Sequence, residues 1–229
     1  MKLVLKYGGT SISNTKDIQT ICEHISTLSK KHQIAIVCSA TSGTTDDLIE
    51  ISESIKKENK SKAEQLASKI INRHNQLAKQ TIKKSDIQKT LLVKLNEDFT
   101  ELLALIDGLV LLGEVTSRSM DYLISFGERL SIKLIAAAIN DISKKSISLT
   151  GKEVGIVTDS NFGESKPLMD TTRLRVSKSI DNLFSKKIIP VIGGFAGADQ
   201  HGHTTTFGRG GSDYSATIIG SCIKADEIW

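Results

Sequence analysis

The sequence predicts an α/β fold, a mostly parallel central sheet with helices on both faces. Three observations carry this expectation. Short, nearly continuous apolar runs at Lys2 to Tyr7, Ile34 to Cys38 and Ile188 to Ile192 suit strands buried on both faces. The segments between them carry apolar residues at helical spacing. The first strand, the helix after it and the second strand fit within about 40 residues, which makes a βαβ unit with a right-handed crossover.

Each element has its own signal. Lys2 to Tyr7 runs into Gly8-Gly9, a strand entering a tight turn. Asn14 is placed to cap a helix, with Asp17 in its first turn and Ile18, Ile21, Cys22, Ile25 and Leu28 on one face. Asp46 to Asp107 contains neither Pro nor Gly and reads as three helices, broken near Asn59 to Ser61 and near Lys83 to Asp86. A further long helix is expected from about Thr116 to Asn140, with Met120, Leu123, Phe126, Leu130, Leu134 and Ala138 along it. Short strands are expected at Ser146 to Leu149 and Gly155 to Val157, and a helix from Thr171 to Lys186. After Ile192 comes a glycine-rich stretch, then a helix from Asp213 to Lys224 and the opening of one more strand at Asp226 to Trp229. No repeat or linker divides the 229 residues, so they read as one domain.

Composition narrows the function. The chain is 39% apolar and 24% charged, with a formal charge of +4, an ordinary globular balance. Lysine supplies 24 of the 30 positive charges and is scattered rather than clustered. With 4% aromatics there is little to stack bases, which argues against a nucleic-acid partner. No apolar run reaches the length of a membrane span or a signal-peptide core. Three widely spaced cysteines, Cys22, Cys38 and Cys222, form no CxxC pair; reduced thiols and a cytoplasmic location are the expectation. Eight of the 17 glycines fall from Gly193 onward, which marks the C-terminal end as the first place to look for a ligand.

In open parallel sheets, ligands sit beyond the C-terminal ends of the strands. Four segments qualify. Lys6 to Ser11 places a cation ahead of a two-glycine turn, which suits a phosphate or is an ordinary β-turn with a surface lysine. Ser39 to Thr45 offers hydroxyls before a helix, and Thr45 either meets a carboxylate or caps that helix. Ser125 to Ser131 puts Gly127 inside an apolar helix at a cost of about 1 kcal/mol against alanine. That glycine allows close approach of a ligand or close helix packing, and Glu128 beside it either meets an ammonium or pairs with Arg129. Gly208 to Asp213 combines a flexible backbone, a guanidinium suited to a carboxylate and a helix N-terminus. There Asp213 either caps the helix or orients a lysine. The P-loop, GxGxxG and GxSxG patterns are absent. Asp199, His201 and His203 lack a further histidine or cysteine at metal-ligand spacing, so they read as a loop tip.

Together these segments resemble the aspartokinase family of the amino-acid-kinase superfamily. Four motifs carry the likeness in the family's order: KYGGTS at Lys6–Ser11, CSATSGTTDDL at Cys38–Leu48, SFGERLS at Ser125–Ser131 and TTTFGRGGSDYSA at Thr204–Ala216. The resemblance implies an αβα sandwich and ATP-dependent phosphorylation of the side-chain carboxylate of L-aspartate, the first step toward lysine, threonine and methionine. It implies that Lys6 neutralises charge on the transferring phosphoryl group, with Gly8 and Gly9 near the phosphates and Asp213 holding Lys6. It implies that Ser39, Thr45, Glu128, Arg209 and Ser212 line the aspartate site. Mg²⁺ would arrive with ATP, with no dedicated protein cage. A homo-oligomer is implied for the full-length protein.

In the family the strand ending in Ile-Trp runs on into a further nucleotide-binding region. Residues 1–229 are therefore expected to be an incomplete kinase domain, inactive alone. Two other readings stand beside this one: a kinase for another small carboxylate, and a non-catalytic amino-acid-binding fragment or regulatory subunit.

Overall fold

The computed structural model describes residues 1–229. The chain opens with β1 (Lys2–Tyr7), a 3-10 turn at Gly9–Ile12, α1 (Thr15–Leu28) and β2 (Gln33–Cys38). Asn14 caps α1 through its side chain, which accepts from the Asp17 amide. Four helices follow: α2 (Thr44–Lys56), α3 (Lys60–Thr81), α4 (Ser85–Leu112) and α5 (Ser117–Asp141). The breaks fall where polar residues interrupt the apolar period, with Asn59 capping α3 and Thr116 capping α5. Next come β3 (Ser146–Leu149), the one-turn α6 (Gly151–Val154), β4 (Val157–Thr158), α7 (Met169–Ser185) and β5 (Ile189–Gly193). The chain ends with β6 (Ala196–Asp199), β7 (Thr204–Thr206), α8 (Gly211–Ile223) and β8 (Glu227–Ile228).

Five strands form the central sheet in the order β3-β5-β2-β1-β8, every pairing parallel. The inner strands β1, β2 and β5 are buried on both faces, and the side chains of β1 and β2 divide by parity. Leu3 and Leu5 of β1 and Ile34, Ile36 and Cys38 of β2 join the core beneath α1 to α5. Val4, Ala35 and Val37 point the other way, into the core beneath α7 and α8. The period-2 alternation of a strand thus feeds two cores at once. Because all five strands run the same way, their C-terminal ends meet at one edge. There the Ser39 amide donates to Tyr7 O at 3.0 Å and the Gly194 amide to Cys38 O at 2.9 Å.

Two expectations are corrected. The strand expected at Gly155 to Val157 begins at Val157, because Gly155 ends α6 in a left-handed conformation with φ of 106°. That strand pairs with β6, outside the central sheet. The glycine-rich stretch after β5 also holds an antiparallel hairpin, β6–β7. Its residues, Ala-Gly-Ala-Asp and Thr-Thr-Thr, have too little apolar alternation to announce strands. Smaller shifts are one or two residues at helix ends, apart from α4, which passes through Gly108 and stops at Gly113. No helix is long and apolar enough to cross a membrane.

Candidate active site

The C-terminal edge of the sheet gathers three of the four motif segments. At the end of β1, Lys6 extends its ammonium to Asp213 Oδ1 at 2.7 Å. Asp213 sits in the first turn of α8, and its side chain caps nothing; Gly210 is the N-cap residue, at φ of 72°. The ion pair therefore joins β1 to α8. The Lys6 ammonium also lies 3.5 Å from where a Cβ on Gly8 would stand. The 3-10 turn then begins at Gly9, and the first amides of such a turn have no carbonyl one turn earlier to bond.

The segment after β2 meets α5. Gly127 approaches so closely that a Cβ there would lie 2.7 Å from Ala40 Cβ. Of its two readings, helix packing is the one observed. This contact lets the Ala40 amide donate to Glu128 Oε1 at 3.1 Å, while Ser131 Oγ donates to Ser39 O at 2.7 Å. Glu128 is buried, and its second oxygen has no hydrogen-bond partner within the protein. Burial pushes its carboxyl up to about 8, against the pull of the Ala40 amide. Arg129 does not pair with Glu128. Its guanidinium lies 4.2 Å from the centroid of the Phe126 ring, bonds Asp98 at 2.7 Å and also binds Glu101. Glu128 thus keeps an unpartnered carboxyl oxygen inside the fold.

A cleft of about 890 Å³ opens on Glu128, between α5, the hairpin and the loop after β3, with Ser125, Gly193, Gly194 and Thr150 in its wall. Gly193, the last residue of β5, and Gly194 after it connect this cleft to the first turn of α8. A Cβ on Gly193 would stand 3.5 Å from Glu128 Cβ, and one on Gly194 2.8 Å from Ser212 Cβ. Ser39 and Thr45 are half-buried at the neighbouring strand end. Thr45 caps no helix, since Gly43 precedes α2 without a side-chain cap. Lys6, Ser39, Thr45 and Ser212 lie outside the wall of this cleft. Arg209 is exposed, makes neither an ion pair nor a side-chain hydrogen bond, and does not line the cleft that opens on Glu128.

The histidine-bearing loop is a turn device. Asp199 accepts from the His201 and His203 amides at 2.9 and 2.8 Å and from Ser160 Oγ at 2.9 Å. No group of three or more His, Cys, Asp or Glu residues is arranged to hold a metal ion. The Ala40 amide was missed in the sequence, because a backbone donor carries no residue-type signal. Asp121 was also missed. It is buried in α5 and accepts from Gly163 N, Thr206 N and Thr206 Oγ1, pinning the β7 hairpin to the helix that carries Glu128.

The model of the Amino acid kinase family matches residues 1–229. The chain belongs to that family. Within it, the chain is similar to Aspartokinase 1, chloroplastic, of Arabidopsis thaliana, at 32% identity over 98% of this chain and 39% of the relative. It is 30% identical to an aspartokinase of Helicobacter pylori, over 98% of this chain and 41% of the relative. The chain therefore spans about 40% of the length of the curated relatives it matches. Among solved structures it resembles E. coli aspartokinase III in complex with aspartate and ADP, with a TM-score of 0.89 at 20% identity. That match covers 100% of this chain and 48% of the other, and it establishes the fold. Aspartate kinase from Synechocystis matches at 26% identity and a TM-score of 0.58, over 99% of this chain and 27% of the other. The amino-acid-kinase fold anticipated from the motifs is the fold observed.

Proposed function

We propose that this chain is the acceptor-binding part of an aspartokinase catalytic domain, which transfers the γ-phosphoryl group of ATP to the side-chain carboxylate of L-aspartate. The observation that carries the reading is the Lys6–Asp213 ion pair at the C-terminal edge of the sheet, joined across the strand ends to a buried Glu128 with a free oxygen. Aspartate kinases from plants and bacteria, similar along the whole chain, support it.

Each residue has a physical task in this reading. A carboxylate is a competent nucleophile at neutral pH, so no general base is needed. Two anions must instead be brought together, which leaves positioning and charge neutralisation as the work of the protein. The Lys6 ammonium offsets charge on the transferring group, and Asp213 restrains its flexible stem. Gly8 and Gly9 let the phosphates approach the backbone. Glu128 receives the substrate ammonium, while Ser39, Thr45 and Ser212 offer hydroxyls to the carboxylates. Arg209 would have to swing in from its exposed position to clamp the α-carboxylate. Mg²⁺ finds no cluster of carboxylates in these residues; it would travel with ATP. Turnover and any oligomer are assigned to the full-length protein. Three buried, unpaired cysteines favour a reducing compartment.

Glu128→Gln in the full-length protein tests the substrate. It keeps the shape but removes the charge that meets the ammonium, so aspartate affinity should fall about tenfold or more. Unchanged affinity for aspartate points to another small carboxylate as the acceptor.

A further inference from the structure

Behind the Ser39–Thr45 loop lies a buried polar relay that the reaction above does not use. His74 of α3 is fully buried. Its Nδ1 is 2.8 Å from Ile70 O, and a carbonyl only accepts, so Nδ1 carries the proton. Its Nε2 is 3.1 Å from Thr41 Oγ1, which is 2.7 Å from Thr44 Oγ1. Arg73 Nη1 donates to Thr44 Oγ1 at 3.0 Å, and the same guanidinium bonds the buried Asp47 at 2.8 Å. Burial, with help from the nearby Arg73 charge, pushes the His74 imidazole down to about 4, so it is neutral at working pH.

A neutral ring leaves one direction for the donors. Arg73 gives to Thr44, the Thr44 hydroxyl to Thr41, and the Thr41 hydroxyl to His74 Nε2. The Thr41 and Thr44 hydroxyls each donate once and accept once, with neither left free to rotate. Thr41 and Thr44 flank the turn at Gly43, and the residue before Thr41 is Ala40, whose amide holds Glu128. Thr45 follows Thr44 directly. Both loop contributions to the site are thus set by side chains that point away from it, into α3.

We propose that His74 is a positioning residue. As the terminal acceptor of this relay it holds the Ser39–Thr45 loop so that the Ala40 amide meets Glu128 and Thr45 stands beside the acceptor substrate. This rests on the aspartokinase reading of the Glu128 site. Lys6 and Asp213 are held by other elements, so loosening the loop weakens substrate binding more than it slows phosphoryl transfer.

The test is steady-state kinetics of the full-length protein with aspartate and ATP, alongside thermal melting of each variant. His74→Ala is expected to raise the KM for aspartate about tenfold while kcat stays within about threefold. His74→Gln, whose amide oxygen can accept from Thr41, is expected to recover most of that loss. If the alanine variant does not fold, Thr41→Val carries the test, since it cuts the relay without opening a cavity and should raise KM similarly. Thr41→Ser, which keeps the hydroxyl, should then restore it. Folded Thr41→Val and His74→Ala proteins with the wild-type KM would overturn the proposal. So would variants in which kcat falls as far as kcat/KM. A wild-type protein with no aspartate-dependent ATP turnover removes the kinase reading and the proposal with it; an active wild type with unmoved variants removes only the proposal.

Discussion

Glu128 has the sharpest chemical constraint on any residue in this chain. Its carboxyl titrates near 8, against 4.5 for the ordinary group, because burial disfavours its charged form. Between those two values the native state holds a proton that the unfolded state releases. Its contribution to stability is therefore full below about pH 4.5 and is lost as pH rises toward 8. A substrate ammonium needs the ionised form, so binding below pH 8 must expel that proton. Aspartate affinity should rise between pH 6 and 8, and calorimetry in buffers of different ionisation enthalpy should register proton release. An affinity flat across that range would show that Glu128 does not meet the ammonium. At Lys6 the expectation differs in kind. Lys6→Ala removes charge needed where phosphoryl transfer occurs, so kcat should fall about a hundredfold or more with a much smaller change in aspartate KM. Matched losses in affinity and turnover would place Lys6 at the acceptor instead.

The elements behave as rigid carriers for these residues. Helix α5 approaches the β2–α2 loop at Gly127, where a Cβ would meet Ala40 Cβ at 2.7 Å. Ala40 is itself on backbone that bonds Glu128, so the neighbour cannot give way without moving the site. Gly127→Ala is expected to cost about 1–3 kcal/mol in denaturant unfolding and to weaken aspartate binding as well. A variant with full stability and full affinity would show that the helix and loop can separate freely. The helical glycine was legible as an anomaly in an apolar helix, but its cause was not. Ligand approach and helix packing leave the same local pattern, and only the partner surface, Ala40, separates them. The pairing of Arg129 was equally hidden. Asp98 and Glu101 lie some 30 residues away in sequence and reach Arg129 only because α4 packs along α5.

Across the whole molecule, the parallel sheet sets a gradient of stability. Strands β1 and β2 are flanked on both sides and buried on both faces, while β8 is a short, exposed edge and β3 forms the opposite edge. Hydrogen exchange should therefore be slowest at Ala35, Ile36 and Val37 and fastest among strand amides at Glu227 and Ile228. Equal protection in β8 and β2 would mean that the edge is covered in solution. The central βαβ unit, the four helices and the order of the motifs were all readable in the chain, because apolar periodicity, caps and glycine turns act over a few neighbouring residues. The β6–β7 hairpin was not, since its glycine, alanines and threonines become strands only when β4 and Asp121 supply partners. The same division holds at the site. Lys6, Glu128 and Asp213 could be named from the sequence as charged groups near glycines, at turns for Lys6 and Asp213 and within a helix for Glu128. The structure decided that Lys6 and Asp213 form a pair, that Glu128 keeps a free buried oxygen and that Arg209 is exposed outside the cleft wall. Hydrogen bonds and desolvation depend on which surfaces meet, and those surfaces come from segments far apart along the chain.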